Sequence, residues 1–144
     1  MKKTFNILLA FVLMLIGILF IRSVWVGDDT YITMRVVDNF IHGYGLRWNV
    51  DERVQVFTHP FWMLLLLAGY VITRNAFITI VVVSISVAFL SAAIFILKVP
   101  KTIPAAIFTT VLLALSKSFV DYSVSGLENP LTHLLLLLFL LVIF

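Results

Sequence analysis

AFITIVVVSISVAFLSAAIFIL, residues Ala76 to Leu97, is a run of 22 residues with no charge, no proline and no glycine. A spanning helix needs about 20 apolar residues to cross a hydrocarbon core of about 30 Å, so this run predicts a transmembrane helix. Outward from it the chain keeps the same character. Phe5 to Ile21 is nearly unbroken apolar sequence closed by Arg22, and Ile103 to Val120 and Leu131 to Phe144 are further apolar runs. Phe61 to Ile72 is apolar for only twelve residues before Thr73, Arg74 and Asn75 interrupt it.

The composition agrees. Hydrophobic residues make up 62% of the 144 residues and charged residues 12%, with a mean hydropathy of +1.16. Soluble domains hold about 45–50% apolar residues, and a soluble core of this size has no use for the excess. The formal charge of +3 comes from ten scattered basic residues that form no Lys/Arg cluster, which excludes a nucleic-acid surface. With no cysteine, disulfide frameworks, thiolate metal sites and cysteine nucleophiles are excluded as well. Met1-Lys2-Lys3 before an apolar run has the form of a signal peptide, but no small-residue cleavage site follows and further spans do. The eleven apolar residues Leu134 to Phe144 are too few for a complete span, so the chain reads as the N-terminal part of a longer protein.

The expected fold is therefore all-α and polytopic, with about four spans and amphipathic juxtamembrane helices in the first outer loop. The segments are a span over 5–26, an outer loop over 27–60 with a helix over 30–42, a re-entrant or short helix over 61–73, and spans over 76–97, 103–120 and 131–144. Lys2 and Lys3 put the N-terminus in the cytoplasm, because basic residues stay on that side. Lys98 and Lys101 fall on the same side if 61–72 only dips into the outer leaflet. A hairpin of two spans turning at Arg74 is the rival and puts both lysines outside. In the preferred arrangement DYSVSGLENP, Asp121 to Pro130, shares the outer face with the first loop. Trp25 and Trp62 suit the aromatic belt, and Lys117 snorkels at the end of its span.

Almost all the acidity lies in that first loop: Asp28, Asp29, Asp38, Asp51 and Glu52, against Arg22, Arg35, Arg47 and Arg53. Tyr31, Met34, Val37 and Ile41 recur at helical spacing, which predicts an amphipathic helix on the membrane surface. Gly43 and Gly45 terminate it, and Pro60 opens the next helix with Thr58 or His59 near the cap. Two readings of Asp28 and Asp29 stand together. One aspartate is the N-cap; the other is a candidate general base towards a hydroxyl or a ligand of a divalent cation that neutralises phosphate. Arg35, His42, Tyr44, Arg53, His59 and Glu128 are the accompanying substrate-binding candidates. The arginines suit a phosphate, although the loop's own carboxylates are ready salt-bridge partners. His42 and His59 lack any metal-ligand spacing that would tie them together, and Glu128 also suits the N-terminus of the Leu-rich helix that Pro130 opens.

The first span, then DDTYITMRVVDNFIHGYGLRWNVDERVQVFTHPFWMLLL, then SGLENPL before a Leu-rich span, resembles the multi-pass C-type (GT-C fold) glycosyltransferases. Within them it is most similar to the arabinofuranosyltransferases of actinobacterial cell-wall assembly. The resemblance implies a polyprenyl-phosphate sugar donor, an acceptor hydroxyl on a glycan or similar molecule, and transfer at the outer face of the bacterial plasma membrane. It makes Asp28 or Asp29 the catalytic carboxylate or the ligand of a divalent metal, Mg or Mn, with Asp28 favoured as the catalyst and Asp29, closer to the helix start, as the N-cap, and it implies further spans without which this portion is inactive. The absence of GxGxxG and GxxxxGK[ST] loops accords with a donor that needs no nucleotide site. The alternative is a transporter or a non-catalytic membrane subunit. Transport is disfavoured because the spans are almost free of ionisable residues.

Overall fold

The computed structural model describes residues 2–52, 54 and 56–143, with residues 2–6 and 8 described by their backbone only. The described residues form seven α-helices and no strand: α1 (Lys2–Arg22), α2 (Asp28–Ile41), α3 (Pro60–Thr73), α4 (Ala76–Lys98), α5 (Ile103–Leu115), α6 (Lys117–Ser123) and α7 (Asn129–Ile143).

The apolar run from Ala76 to Leu97 is the axis of the fold. α4 packs against α1, α3, α5 and α7, and the residues it buries are mostly small: Thr79, Ser84, Ala88, Ser91 and Ala92. Small side chains let neighbouring helices approach closely, which is how helices associate when apolar surface alone gives no driving force. Asn75 fixes its start by accepting a hydrogen bond from the Ile78 N–H at 3.0 Å, and Arg74 makes the turn from α3 with a positive φ of 52°.

Side-chain neighbours give the directions. Gly17 of α1 faces Phe89, while Leu9 shares a crevice with Ile96, so α1 and α4 run oppositely. Leu9 also meets Ile103 and Ala106 at the start of α5, and Leu19 meets Ala114 near its end, so α5 runs with α1. Leu131 clusters with Ile80, and Leu137 and Leu140 line a cavity with Ser91 and Phe95, so α7 runs with α4. The long helices alternate in direction, and Lys98 and Lys101 fall at the end of the bundle where α1 begins. α2 lies at the opposite end, and both ends of α3 are tied there: His59 lies 3.4 Å from Glu128 beside the start of α7, and Tyr70 bonds to Asp38 of α2 at 2.7 Å.

Among the described residues α4 alone is long and apolar enough to cross a membrane; Leu9–Arg22, Pro60–Thr73 and Asn129–Ile143 are shorter apolar helices. Two expected spans differ from their sequence reading. The span drawn over 5–26 ends as a helix at Arg22, and Val24 to Val26 are non-helical, with the Trp25 indole donating to the Asp121 carbonyl at 3.0 Å. The span drawn over 103–120 is broken, α5 and α6 meeting at 70°. The break is at Ser116, whose extended backbone ends α5 and whose hydroxyl accepts from Phe119 N–H to start α6. Lys117 pairs with Asp121 at 2.6 Å. No residue of α5 is buried.

Candidate functional site at the α2 end of the bundle

Two buried clusters divide the interior. One, around Phe20, Ala88 and Val124, joins α1 and α4 to the segment after α6. The other, around Met34, Val37, Trp62, Leu66, Ile80 and Leu131, fastens α2 and α3 to the starts of α4 and α7. Of the stripe read in the sequence, Met34 and Val37 are buried and Ile41 packs against them, whereas Tyr31 is exposed, and the helix begins two residues earlier than 30–42.

The reason is Gly27. Its backbone is extended (φ −68°, ψ 146°), it occupies the N-cap position, and its N–H donates to the Ser125 carbonyl at 3.0 Å. Asp28 and Asp29 are thereby drawn into the first turn. Neither is the N-cap, which corrects the capping role read for Asp29. Both are exposed at the positive end of the helix dipole, and the Asp28 carboxylate accepts the Asp29 N–H at 3.1 Å.

SGLENP is locked against this turn. Thr30 donates its hydroxyl to the Ser125 carbonyl at 3.4 Å, and the Trp62 indole donates to the Gly126 carbonyl at 2.8 Å. Trp62 is 1% exposed, so it is a core residue and not the aromatic-belt residue of the sequence reading; its one polar atom is satisfied, as a buried indole requires. Gly126 has a φ of +88°, and a Cβ there would lie 2.6 Å from Ile80 Cγ2 and 2.8 Å from Thr30. Only glycine fits where the backbone passes so close in that conformation.

His59 links three elements. It is the N-cap residue of α3 and makes no side-chain capping bond; Pro60 at N1 starts the helix. Its Nε2 lies 3.2 Å from the hydroxyl of buried Thr33, and its Nδ1 lies 3.4 Å from Glu128 Oε2. Asp28, Asp29, His59 and Glu128 thus flank one joint between α2, α3 and the start of α7. Glu128 immediately precedes α7, whose first turn bonds back to its carbonyl through Thr132 N–H at 3.0 Å.

The other candidates sit apart from that joint. His42 is at the far end of α2, where its Nδ1 approaches the Asp38 carbonyl at 2.8 Å. Gly43, at φ 84°, and Tyr44 close the helix: their N–H groups donate to Phe40 and Asn39, a Schellman ending. The Tyr44 ring is exposed. Arg35 donates to the Trp48 carbonyl at 3.1 Å and stacks over its ring at 4.7 Å, and Arg47 donates to Val50 at 2.9 Å. These arginines shape the 44–50 loop through carbonyls and an aromatic face, whereas the sequence offered carboxylates as their partners. Arg53 lies outside the described residues. Among the described residues no three His, Cys, Asp or Glu side chains gather as a metal site.

Sequence reasoning missed Thr33 and Gly126. Thr33 carries no catalytic signal, and nothing local marks the glycine of SGLENP, whose need for glycine comes from Ile80 and Thr30 packed against it. Comparison with protein-family models, with curated proteins and with solved structures finds no match to this chain.

Proposed function

We propose that this chain is a membrane glycosyltransferase that moves a sugar, arabinofuranose on the resemblance, from a polyprenyl-phosphate donor to an acceptor hydroxyl at the outer face of the bacterial plasma membrane, in cell-envelope assembly. The observation that carries the reading is the Gly27–Ser125 joint. It brings the two parts of the sequence that bear the resemblance, DDTY and SGLENP, into one place, with exposed Asp28 and Asp29 on one side and half-buried Glu128 on the other. The N-terminus and Lys98 and Lys101 are assigned to the cytoplasm, since they share the other end of the bundle.

The transfer needs little covalent help from the protein, because the donor already carries its leaving group. The acceptor oxygen bonds to the anomeric carbon as that carbon's bond to the phosphate oxygen breaks. The phosphate departs with the electron pair, and the hydroxyl proton passes to the carboxylate of Asp28 or Asp29 and then to water. Exposure suits either residue for that role, and their neighbouring places on a helix point them in different directions, so one of the two serves. Mg is commonly held by one or two carboxylates together with phosphate oxygens, so Asp28 or Asp29 would hold such a cation together with the donor's phosphate. It would supply charge neutralisation at the departing phosphate.

Asp28→Asn and Asp29→Asn, made separately in the full chain and assayed in membranes for sugar transfer from a polyprenyl-phosphate donor, test the proposal. One of the two is expected to lose about 10²-fold or more, the usual worth of a general base. Full activity in both variants would remove the catalytic assignment and leave a transporter or structural subunit as the better reading.

A further inference from the structure

Beside the joint, a groove of about 160 Å³ opens between the starts of α3 and α7. Its mouth is polar and its length is not. At the mouth stand His59 and Glu128; beyond them Phe61, Leu131 and Leu135 form apolar walls. Phe61 and Leu135 are 53% and 46% exposed, so the groove is open along its side.

The mouth has a definite chemical preference. Among the described residues the Glu128 carboxylate has one close polar neighbour, His59 Nδ1 at 3.4 Å, although an ionised carboxylate accepts about four hydrogen bonds. His59 is engaged on both ring nitrogens, Nε2 with buried Thr33 at 3.2 Å and Nδ1 with Glu128 and Thr58, each at 3.4 Å, and among the described residues no Lys or Arg lines the groove. Among these residues a phosphate would meet a carboxylate with no compensating cation. A head rich in hydroxyl donors meets unfilled acceptors, and an attached alkyl chain covers exposed apolar surface.

We infer that this groove seats the acceptor, and that the acceptor is an amphiphile: its hydroxyl-bearing head is received by Glu128 and its apolar chain lies along Phe61, Leu131 and Leu135. His59 is a positioning residue that anchors Glu128 to α2 through Thr33. The inference rests on the glycosyl-transfer reading only in calling the occupant an acceptor.

The test is therefore a binding measurement that needs no transfer. An alkyl glycoside carrying a diazirine on its chain is photolysed with the full chain in membranes, and the adducts are mapped by mass spectrometry. Adducts are expected on Phe61, Leu131 or Leu135, and unlabelled alkyl glycoside should compete about tenfold better than the same alkyl chain without its sugar, the factor expected from a hydrogen bond to a charged group. His59→Leu should lower the adduct yield at subsaturating probe by a similar factor. His59→Asn, whose amide N–H takes the place of Nδ1–H, should restore it. Adducts elsewhere, equal competition by the bare chain, or competition by polyprenyl phosphate alone would overturn the inference. If Asp28→Asn and Asp29→Asn leave transfer untouched while the adducts fall as expected, the glycosyltransferase reading fails and the groove stands.

Discussion

At the scale of single residues, two glycines with nearly the same backbone angle predict different consequences. Gly43 (φ 84°) has nothing within 4 Å of a built Cβ, whereas Gly126 (φ 88°) has Ile80 at 2.6 Å. Gly43→Ala should cost only the left-handed strain, about 1–2 kcal/mol. Gly126→Ala adds overpacking of about 1–3 kcal/mol and pushes SGLENP off α2. Thermal unfolding of both variants in detergent checks this: Gly126→Ala should be the less stable, and equal midpoints would mean that the SGLENP contact is loose. Asp28 and Asp29 sit beside that contact, so Gly126→Ala should also impair transfer if the joint is the active site.

Among the elements, α2 and α3 are held together by apolar burial and by a few polar bonds, of which Tyr70 to Asp38 is the shortest at 2.7 Å. The Asp38 carboxylate that receives the phenol hydrogen, with some help from burial, holds Tyr70 above the usual tyrosine pKa. A group whose folded pKa is raised lends stability in its protonated form. That contribution is complete below the unfolded tyrosine value of about 10 and is lost as pH rises through the higher folded value. Tyr70→Phe should cost about 1 kcal/mol and should remove the highest-pH component of the tyrosinate absorbance titration. A titration unchanged in its upper limb would mean that the bond is absent. The kink between α5 and α6 belongs to the same scale: apolar content alone suggested one span, but Ser116 competes for Phe119 N–H and turns the chain.

For the whole molecule, the alternating directions of α1, α4, α5 and α7 predict sidedness. Because the chain contains no cysteine, a single cysteine is a clean reporter. Leu46→Cys in the 44–50 loop should react with an impermeant thiol reagent added outside intact cells. Val99→Cys should react only after the membrane is opened. Labelling of Val99→Cys from outside would reverse the orientation and with it the placement of the site. The exposed apolar side chains of α1, α5 and α7 are the surface that lipid, or further helices, would cover.

The helical class, the apolar axis of α4, the stripe on α2, the Pro60 start and the Gly43 stop were legible in the sequence, because each depends on local composition, period or backbone preference. The end of α1 at Arg22 and the burial of Trp62 were not, because each is decided by partners distant along the chain; the bend at Ser116 was not, because a serine hydroxyl that takes a backbone N–H three residues on leaves no mark in apolar content. Trp62 looks like an interfacial anchor until the Gly126 carbonyl, 64 residues away, takes its N–H. The candidate site divides in the same way. Sequence alone singled out Asp28, Asp29, His59 and Glu128 by type and setting. Only the tertiary structure separated them from Arg35, His42 and Tyr44, and it did so through a glycine too small to clash and an N–H that found the Ser125 carbonyl.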